Sequence, residues 1–187
     1  MNDVLERVEY NNVVIEAVQD NDPLDPRSWD NLGTMVCWHK RYTLGDTNTG
    51  IDPKDYDSAE ELFNHLKSIS AIVMPLYLYD HSGISMSTST YAGKAQHASW
   101  DSGLVGYIYI DREELHKEGL DESADLEAIL RAEVDTYDRY LRGDMYGYRV
   151  VKNVKCDSCG HTEREVVDSC FGYESPEEAL QAGKEVA

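Results

Sequence analysis

The alternation of apolar and polar positions predicts strands and helices that interleave along the whole chain. Alternating or continuous apolar runs predict strands at 13–18, 34–42, 71–79, 104–110, 148–154 and 162–167. Apolar residues at helical spacing predict helices at 58–69, 111–117, 123–141 and 176–185. We therefore predict an α+β fold, with a mixed or antiparallel sheet and about three to four helices packed on it.

Capping residues mark where two of these helices begin. Ser58 and Ser175 each precede a glutamate three residues later, which is the pattern of a capping box. We predict a single domain over residues 1–187. It includes a cysteine-containing hairpin at about 148–173 and a C-terminal helix at about 176–185.

Composition is that of a folded cytoplasmic protein. The chain has 187 residues, of which 41% are hydrophobic, so it can bury a sizeable core. It contains no apolar run of about eighteen residues, and its first residues lack the basic start and apolar stretch of a signal peptide. We therefore expect its four cysteines to be thiols or metal ligands rather than disulfides.

The charge balance is strongly acidic. A net charge of -19, from 36 acidic and 17 basic residues, disfavours direct binding to nucleic acids or anionic membranes. Three interpretations of this negative charge stay open: a solvated surface that aids solubility, adaptation to a high-salt cytoplasm, and mimicry of a nucleic acid. A mimic needs its acids on one face, because duplex DNA carries a charge about every 1.7 Å. Here the acids are spread along the sequence, with only modest density between 111 and 144.

Cysteines in the predicted hairpin turn give the strongest metal signal. Cys156 and Cys159 form a Cys-x-x-Cys turn in which two thiolates can face one ion, and a structural zinc needs four ligands. Cys170 on the returning strand and His161 complete the predicted set, with Asp168 as an alternative ligand. The competing interpretations are an ordinary turn that contains cysteines and a redox pair.

Reactive side chains crowd the strand predicted at 34–42. Because strand side chains alternate, Cys37, His39 and Arg41 share one face, where they could bind an anion or set a thiol beside an imidazole. Residues two apart in a strand lie about 6–7 Å from each other, so a direct relay between Cys37 and His39 needs convergence of the side chains. The alternative is an edge strand with a buried cysteine and exposed polar tips.

Three short blocks place an aspartate beside a tryptophan or a histidine near strand ends. They are Trp29-Asp30, Asp80-His81 and Trp100-Asp101. Strand ends are common site positions because a rigid scaffold holds the side chains there. The alternative is a set of turns whose carboxylates cap the backbone while the indoles cover the core.

From these blocks we predict a composite ligand-binding surface. Its residues are Trp29, Asp30, His39, Arg41, Asp46, Asp80, His81, Trp100 and Asp101. If the surface is catalytic, the candidate residues are Asp80, His81, Asp101 and His39.

The same blocks resemble a family of small proteins encoded by bacterial and archaeal viruses and prophages. The residues that carry the resemblance include WDNLGTMVCWH at 29–39, PLYLYDHSG at 75–83, WDSG at 100–103 and VDSCFGY at 167–173. Shorter matching pieces lie at 41–42, 44–46, 105–106, 133–134, 137, 140–141, 143–144 and 146–148, so that the resemblance covers roughly residues 12 to 174. It implies a viral accessory protein that acts inside the host. No activity is established for the family, so the resemblance assigns no catalytic role.

Binding is the function that these observations favour. We expect a virus-encoded accessory protein of the host cytoplasm that binds a host protein of defence or takeover, or a small polar ligand. The alternatives are a hydrolase or nucleotide-modifying enzyme that uses an Asp/His cluster, and an acidic mimic that inhibits a DNA-binding host protein. An enzyme needs its polar residues in one pocket, a mimic needs acids gathered on another face, and a protein binder needs an exposed aromatic patch.

Overall fold

The computed structural model describes residues 3–121, 125–155 and 158–187 and contains two antiparallel sheets of four strands each. The chain groups into two compact units, one formed by Met1–Leu24 with Gly143–Ala187 and the other by Asp25–Arg142. The predicted α+β class is confirmed, with five helices in the described residues. Where the sequence predicted one sheet, each unit has its own. The extent of a single domain over 1–187 stays a prediction.

The first unit is a sheet with one helix on one of its faces. Its elements are β1 (Val4–Tyr10), β2 (Val13–Gln19), β7 (Tyr146–Lys155), β8 (Thr162–Tyr173) and α5 (Pro176–Val186), with strand order β1-β2-β7-β8. Helix α5 packs Ala179 and Leu180 against Ile15, Tyr148 and Val150. The predicted hairpin and C-terminal helix are therefore present. Strand β1 was not predicted, because most of its side chains are exposed and leave little apolar pattern.

The second unit contains the other sheet and the remaining helices. Its elements are β3 (Thr34–Cys37), α1 (Ala59–Ile69), β4 (Ser70–Asp80), β5 (Ile84–Ser87), α2 (Ala98–Asp101), β6 (Ser102–Asp111), α3 (Arg112–Lys117) and α4 (Leu126–Arg142). The strand order is β3-β6-β4-β5, with every pairing antiparallel. Two single-turn 3-10 helices lie at Pro26–Ser28 and Pro53–Asp55.

Helices cover both faces of this second sheet. On one face, Leu130 and Val134 of α4 pack in a core with Met35 and Ile108. On the other, Leu62 and Leu66 of α1 pack with the neighbouring strand residues Val36, Tyr107 and Tyr109. Successive strand residues thus point to opposite cores, which explains why these strands read as continuous apolar runs in the sequence.

The helix starts follow the predicted capping chemistry. The Ser58 hydroxyl accepts a hydrogen bond from the Glu61 backbone N–H at 3.1 Å, and the Ser175 hydroxyl accepts one from the Glu178 N–H at the same distance. Helix α4 is capped by Asp125, whose carboxylate accepts from the Ala128 N–H at 3.1 Å. The start predicted for this helix at position 123 lies outside the described residues.

The strand predicted at 34–42 is shorter than its sequence pattern, since β3 ends at Cys37. The reason is a side chain: the His39 Nδ1 accepts hydrogen bonds from the backbone N–H groups of Arg41 (3.3 Å) and Tyr42 (3.2 Å). This local turn competes with the strand ladder. The predicted alternation of faces therefore fails beyond Trp38, and Cys37, His39 and Arg41 do not form one strand face.

The stretch 82–99 contains two short elements. Strand β5 forms a hairpin with β4, in which Asp80 lies opposite Ile84. Helix α2 begins after His97, which has a left-handed backbone conformation. Helix α2 has no clear periodic signal in the sequence, since it contains only four residues.

None of the helices in the described part of the chain combines the length and the apolar character needed to span a membrane.

A buried guanidinium group ties the second unit together. The side chain of Arg27 is only 4% exposed. Its Nε and Nη2 donate to the two carboxylate oxygens of Asp46 at 2.7 and 2.8 Å, and its Nη1 donates to Glu133 at 3.0 Å. Its Nη2 also donates to the Gly33 carbonyl at 2.5 Å. Such forked, charge-assisted contacts match the planar geometry of arginine.

The two carboxylates that bind Arg27 also accept hydrogen bonds from the backbone around β3. Glu133, on α4, accepts hydrogen bonds from the N–H groups of Leu32 and Gly33, both at 3.0 Å. Asp46 accepts one from the N–H of Met35 at 2.7 Å. The chain before and after β3 is therefore held against α4 by charged groups.

Replacing Arg27 by methionine is expected to lower the free energy of unfolding by about 3–5 kcal/mol, because two partly buried carboxylates lose their counter-ion. Arg131→Met is the matched control on the surface, where Arg131 pairs with Glu127 across one turn of α4. That change is expected to cost less than about 1 kcal/mol. Urea unfolding measures both variants, and equal losses would contradict the role of Arg27.

Candidate functional site

Antiparallel pairing brings several predicted site residues to one end of the second sheet. Strand β4 ends where β6 begins, with Tyr79 opposite Ser102. Strand β3 ends nearby on the other side of β6, with Cys37 opposite Gly106. We call this region the sheet-end surface; it comprises His39, Arg41, Tyr42, Tyr79, Asp80, His81, Tyr91, His97, Trp100 and Asp101.

One half of the sheet-end surface is centred on Asp80. The Arg41 guanidinium donates a hydrogen bond to this carboxylate, and the Tyr42 hydroxyl donates another at 3.3 Å. The His39 ring stacks on the Tyr42 ring with centroids 4.9 Å apart, and the Arg41 guanidinium lies 5.4 Å from the centre of the same ring. Arg41 is 67% exposed. The negative charge of Asp80 is thus neutralised locally, and an exposed cation stands beside aromatic rings.

The other half is a row of rings next to a histidine–aspartate pair. The rings of Tyr91, Tyr79, His81 and His97 follow one another with centroid separations of 5.4, 5.9 and 6.2 Å. The His81 Nδ1 lies 2.9 Å from a carboxylate oxygen of Asp101. Tyr79, Tyr91 and His97 were not among the predicted site residues. The spacing of Tyr79 and His81 was the available signal, since residues two apart share a strand face.

Trp100 stands out on this surface because it is almost free of protein contacts. Its exposed fraction is 88%, twice that of Trp29 at 44%. It lies in α2, directly before the Asp101 that pairs with His81. A bulky indole that contributes little to the core is available for recognition.

The remaining predicted residues lie elsewhere. Trp29 and Asp30 precede β3, whose first residue, Thr34, lies opposite Tyr109 near the other end of β6. Asp30 lines a cavity of about 190 Å³ together with Glu114 of α3. The Trp29-Asp30 block is therefore not part of the sheet-end surface. Only two of the three blocks, Asp80-His81 and Trp100-Asp101, lie together, through the contact of His81 with Asp101. The turn that follows β3 contacts the first of these blocks at Asp80.

Asp46 also lies apart from the sheet-end surface, in the ion cluster of Arg27 and Glu133. Its carboxylate is 17% exposed and accepts from both the Arg27 side chain and the Met35 backbone. Asp46 therefore stabilises the chain around β3. Neither Arg27 nor Glu133 was a predicted site residue, because pairing across 106 positions leaves no local signal.

The Cys37 thiol is a poor nucleophile in this setting. Burial raises its pKa to about 12, and the nearby Asp46 carboxylate adds to the increase while Arg27 opposes it. At neutral pH the thiol is therefore protonated, whereas only a thiolate attacks. The sulfur lies so close to β6 that a Cβ on Gly106 would stand 2.8 Å from it.

Short alkylation with iodoacetamide at pH 8 is expected to leave Cys37 unmodified, because the pH lies far below its pKa. The matched controls are Cys159 and Cys170, which are exposed. Mass spectrometry of the digested protein measures each site. Modification of Cys37 as fast as of Cys170 would contradict the raised pKa.

The predicted zinc ligands are only partly described. Cys156 lies outside the described residues, and Cys159 and His161 lie exposed at the hairpin turn. Cys170 lies eight residues along β8 from Thr162, or about 26 Å at strand spacing. It is therefore too far away to join a site at the turn. Among residues 3–121, 125–155 and 158–187, no three His, Cys, Asp or Glu side chains are grouped to hold a metal. Zinc at the turn stays a prediction.

Cys170→Ser is expected to leave the metal content of the purified protein equal to that of the wild type, because of this separation along β8. Cys159→Ser is the matched control within the turn. Elemental analysis by mass spectrometry gives the metal content per chain. Zinc that is present in the wild type and lost in Cys170→Ser would contradict the separation.

Comparisons with known protein families, curated proteins and solved structures give no significant match to this chain.

Proposed function

We propose that this protein acts by binding a partner protein through the sheet-end surface, as a virus-encoded accessory protein in the host cytoplasm. The observation that carries the binding function is the 88% exposure of Trp100 beside a row of aromatic and histidine rings. The viral setting and the host partner, of defence or takeover, rest on the resemblance of the sequence blocks.

The residue types on this surface favour a protein partner. Tryptophan, tyrosine and arginine are the side chains that most often dominate binding energy at protein interfaces. Trp100 supplies the large anchor, and Arg41 supplies an exposed cation whose charge is balanced by Asp80. A partner that covers the indole removes a large apolar area from water.

Part of the surface is already rigid. The Tyr79 hydroxyl donates to the Gln96 carbonyl at 3.0 Å, and its ring is stacked between Tyr91 and His81. Fixed rings lose little conformational entropy when a partner binds, which favours affinity.

The charge pattern of the sheet-end surface favours this function over nucleic-acid mimicry by the same surface. A mimic presents unpaired acids in a regular array. Here Asp80 is paired with Arg41, and Asp101 lies against His81. An aromatic ring lies beside each pair, Tyr42 beside Arg41 and Tyr79 beside His81. The net charge of -19 instead favours a partner whose binding region is basic.

The His81–Asp101 pair supports one alternative, an enzyme. A carboxylate that accepts a hydrogen bond from the Nδ1–H of an imidazole leaves its Nε2 free to act as a general base. The two side chains are 46% and 29% exposed, so a substrate would have to bind on an open surface. This alternative is tested by incubating wild type and His81→Ala with host-cell metabolites. A product formed by the wild type alone would favour the enzyme.

Trp100→Ala is expected to weaken partner binding by about 2 kcal/mol or more, roughly thirtyfold, if the indole is the anchor. The partner is first captured from infected host cells by the wild-type protein, identified and purified, and its affinity is then measured by calorimetry. Trp29→Ala is the matched control, because it removes another exposed indole from the unit but lies away from the sheet-end surface. Equal affinity of Trp100→Ala and wild type would overturn the proposal, as would an equal loss in both variants.

A further inference from the structure

Two cavities flank the 3-10 turn at Pro53–Asp55, and no part of the proposed function uses them. One has a volume of about 370 Å³, and its lining includes Asp46, Asp52 and Asp55. The other has a volume of about 260 Å³, and its lining includes Trp38, Tyr56 and Leu62. Pro53 lines both cavities, so the two cavities are neighbours.

The second cavity, which we call the aromatic cavity, has well-supported walls. The Trp38 ring packs on Tyr107 with centroids 5.7 Å apart, and the Tyr56 ring packs on His65 at 5.6 Å. Its floor is Leu62, a buried core residue of α1. A preformed apolar cavity of this kind favours one bulky apolar side chain or ring.

The aromatic cavity opens on the face of the sheet that α1 covers. Trp38 packs with the core of Leu62 and Tyr107, whereas Tyr42 of the sheet-end surface packs with the opposite core of α4. None of the residues that line the two cavities belongs to the sheet-end surface. An inference about the cavity stands independently of the proposed function.

Negative charges beside the aromatic cavity favour an occupant that carries a positive charge. Among the described residues, no ion pair involves Asp52 or Asp55, and both are exposed. Asp52 accepts a hydrogen bond from the Lys54 backbone N–H at 3.0 Å, which fixes its position at the start of the turn. Asp46 adds negative charge, although Arg27 balances it. Lys54 is a lining cation of the aromatic cavity and opposes this selection.

We propose that the two cavities together bind a segment of a partner protein in which an aromatic side chain is flanked by lysine or arginine. The ring enters the aromatic cavity, between Trp38 and Tyr56. The neighbouring cation lies against Asp52 and Asp55, where exposed charges attract it without a large desolvation cost. A chain with a net charge of -19 attracts such basic segments over long range.

The test uses the whole 187-residue chain and three capped peptides, and the indole N–H signals are observed by two-dimensional NMR. The probe is acetyl-Gly-Lys-Phe-Lys-Gly-amide; one control replaces both lysines by glutamate, and the other replaces phenylalanine by alanine. The three tryptophans, at positions 29, 38 and 100, give internal reference signals. Their signals are assigned with single Trp→Phe variants.

We expect the probe at millimolar concentration to shift the Trp38 signal and to leave those of Trp29 and Trp100 in place. The glutamate and alanine peptides should bind more weakly. Affinity for the probe should also fall as NaCl is raised, because exposed charges are screened. A Trp38 signal that does not respond, or that responds equally to the glutamate peptide, would overturn the proposal.

Charge variants on the turn give the second arm. Asp52→Asn and Asp55→Asn are each expected to weaken binding of the probe by about two- to fivefold, and Lys54→Gln is expected to strengthen it. The asparagine at 52 can still accept the turn hydrogen bond. Asp57→Asn is the matched control, since it removes the same charge from the same loop outside both cavities. Equal weakening by Asp57→Asn would overturn the selection by Asp52 and Asp55.

Discussion

The second unit depends on one buried positive charge. A guanidinium group withdrawn from water is costly unless acceptors surround it, and Arg27 has three: Asp46, Glu133 and the Gly33 carbonyl. The dependence is mutual, because the two carboxylates would be unfavourable there without the cation. The three side chains come from three separate parts of the sequence, so the cluster forms only when β3 and its flanking loops lie against α4.

This constraint leads directly to the geometry of the candidate site. With β3 held between the Glu133 and Asp46 contacts, the chain leaves the strand at Cys37 and turns around His39. That turn brings Arg41 to Asp80 at the end of β4. The pairing of β4 with β6 then places His81 beside Asp101, with Trp100 next to it in the chain. A buried ionic cluster and an exposed aromatic surface are thus linked through the chain from Met35 to Arg41.

Local signals in the sequence are sufficient for much of the fold but not for the site. The capping serines Ser58 and Ser175, the apolar run of β4 and the helical spacing in α4 are short-range patterns, and each led to an element that is present. The predicted end of β3 at residue 42 was wrong, because the His39 side chain competes with the strand ladder. Trp29 and Trp100 share a sequence motif, but strand pairing separates them. That pairing is a long-range property, so similar blocks did not imply a shared surface.

Amide hydrogen exchange in an Arg27→Lys variant tests most directly whether this cluster holds the segment around β3. Lysine keeps the charge but loses the planar fork that binds Asp46, Glu133 and Gly33 together. Faster exchange is expected at Leu32, Gly33 and Met35, whose N–H groups donate to the two carboxylates, while amides of the β4–β6 ladder keep their protection. Wild-type exchange rates at those three amides in the variant would contradict this role of the cluster.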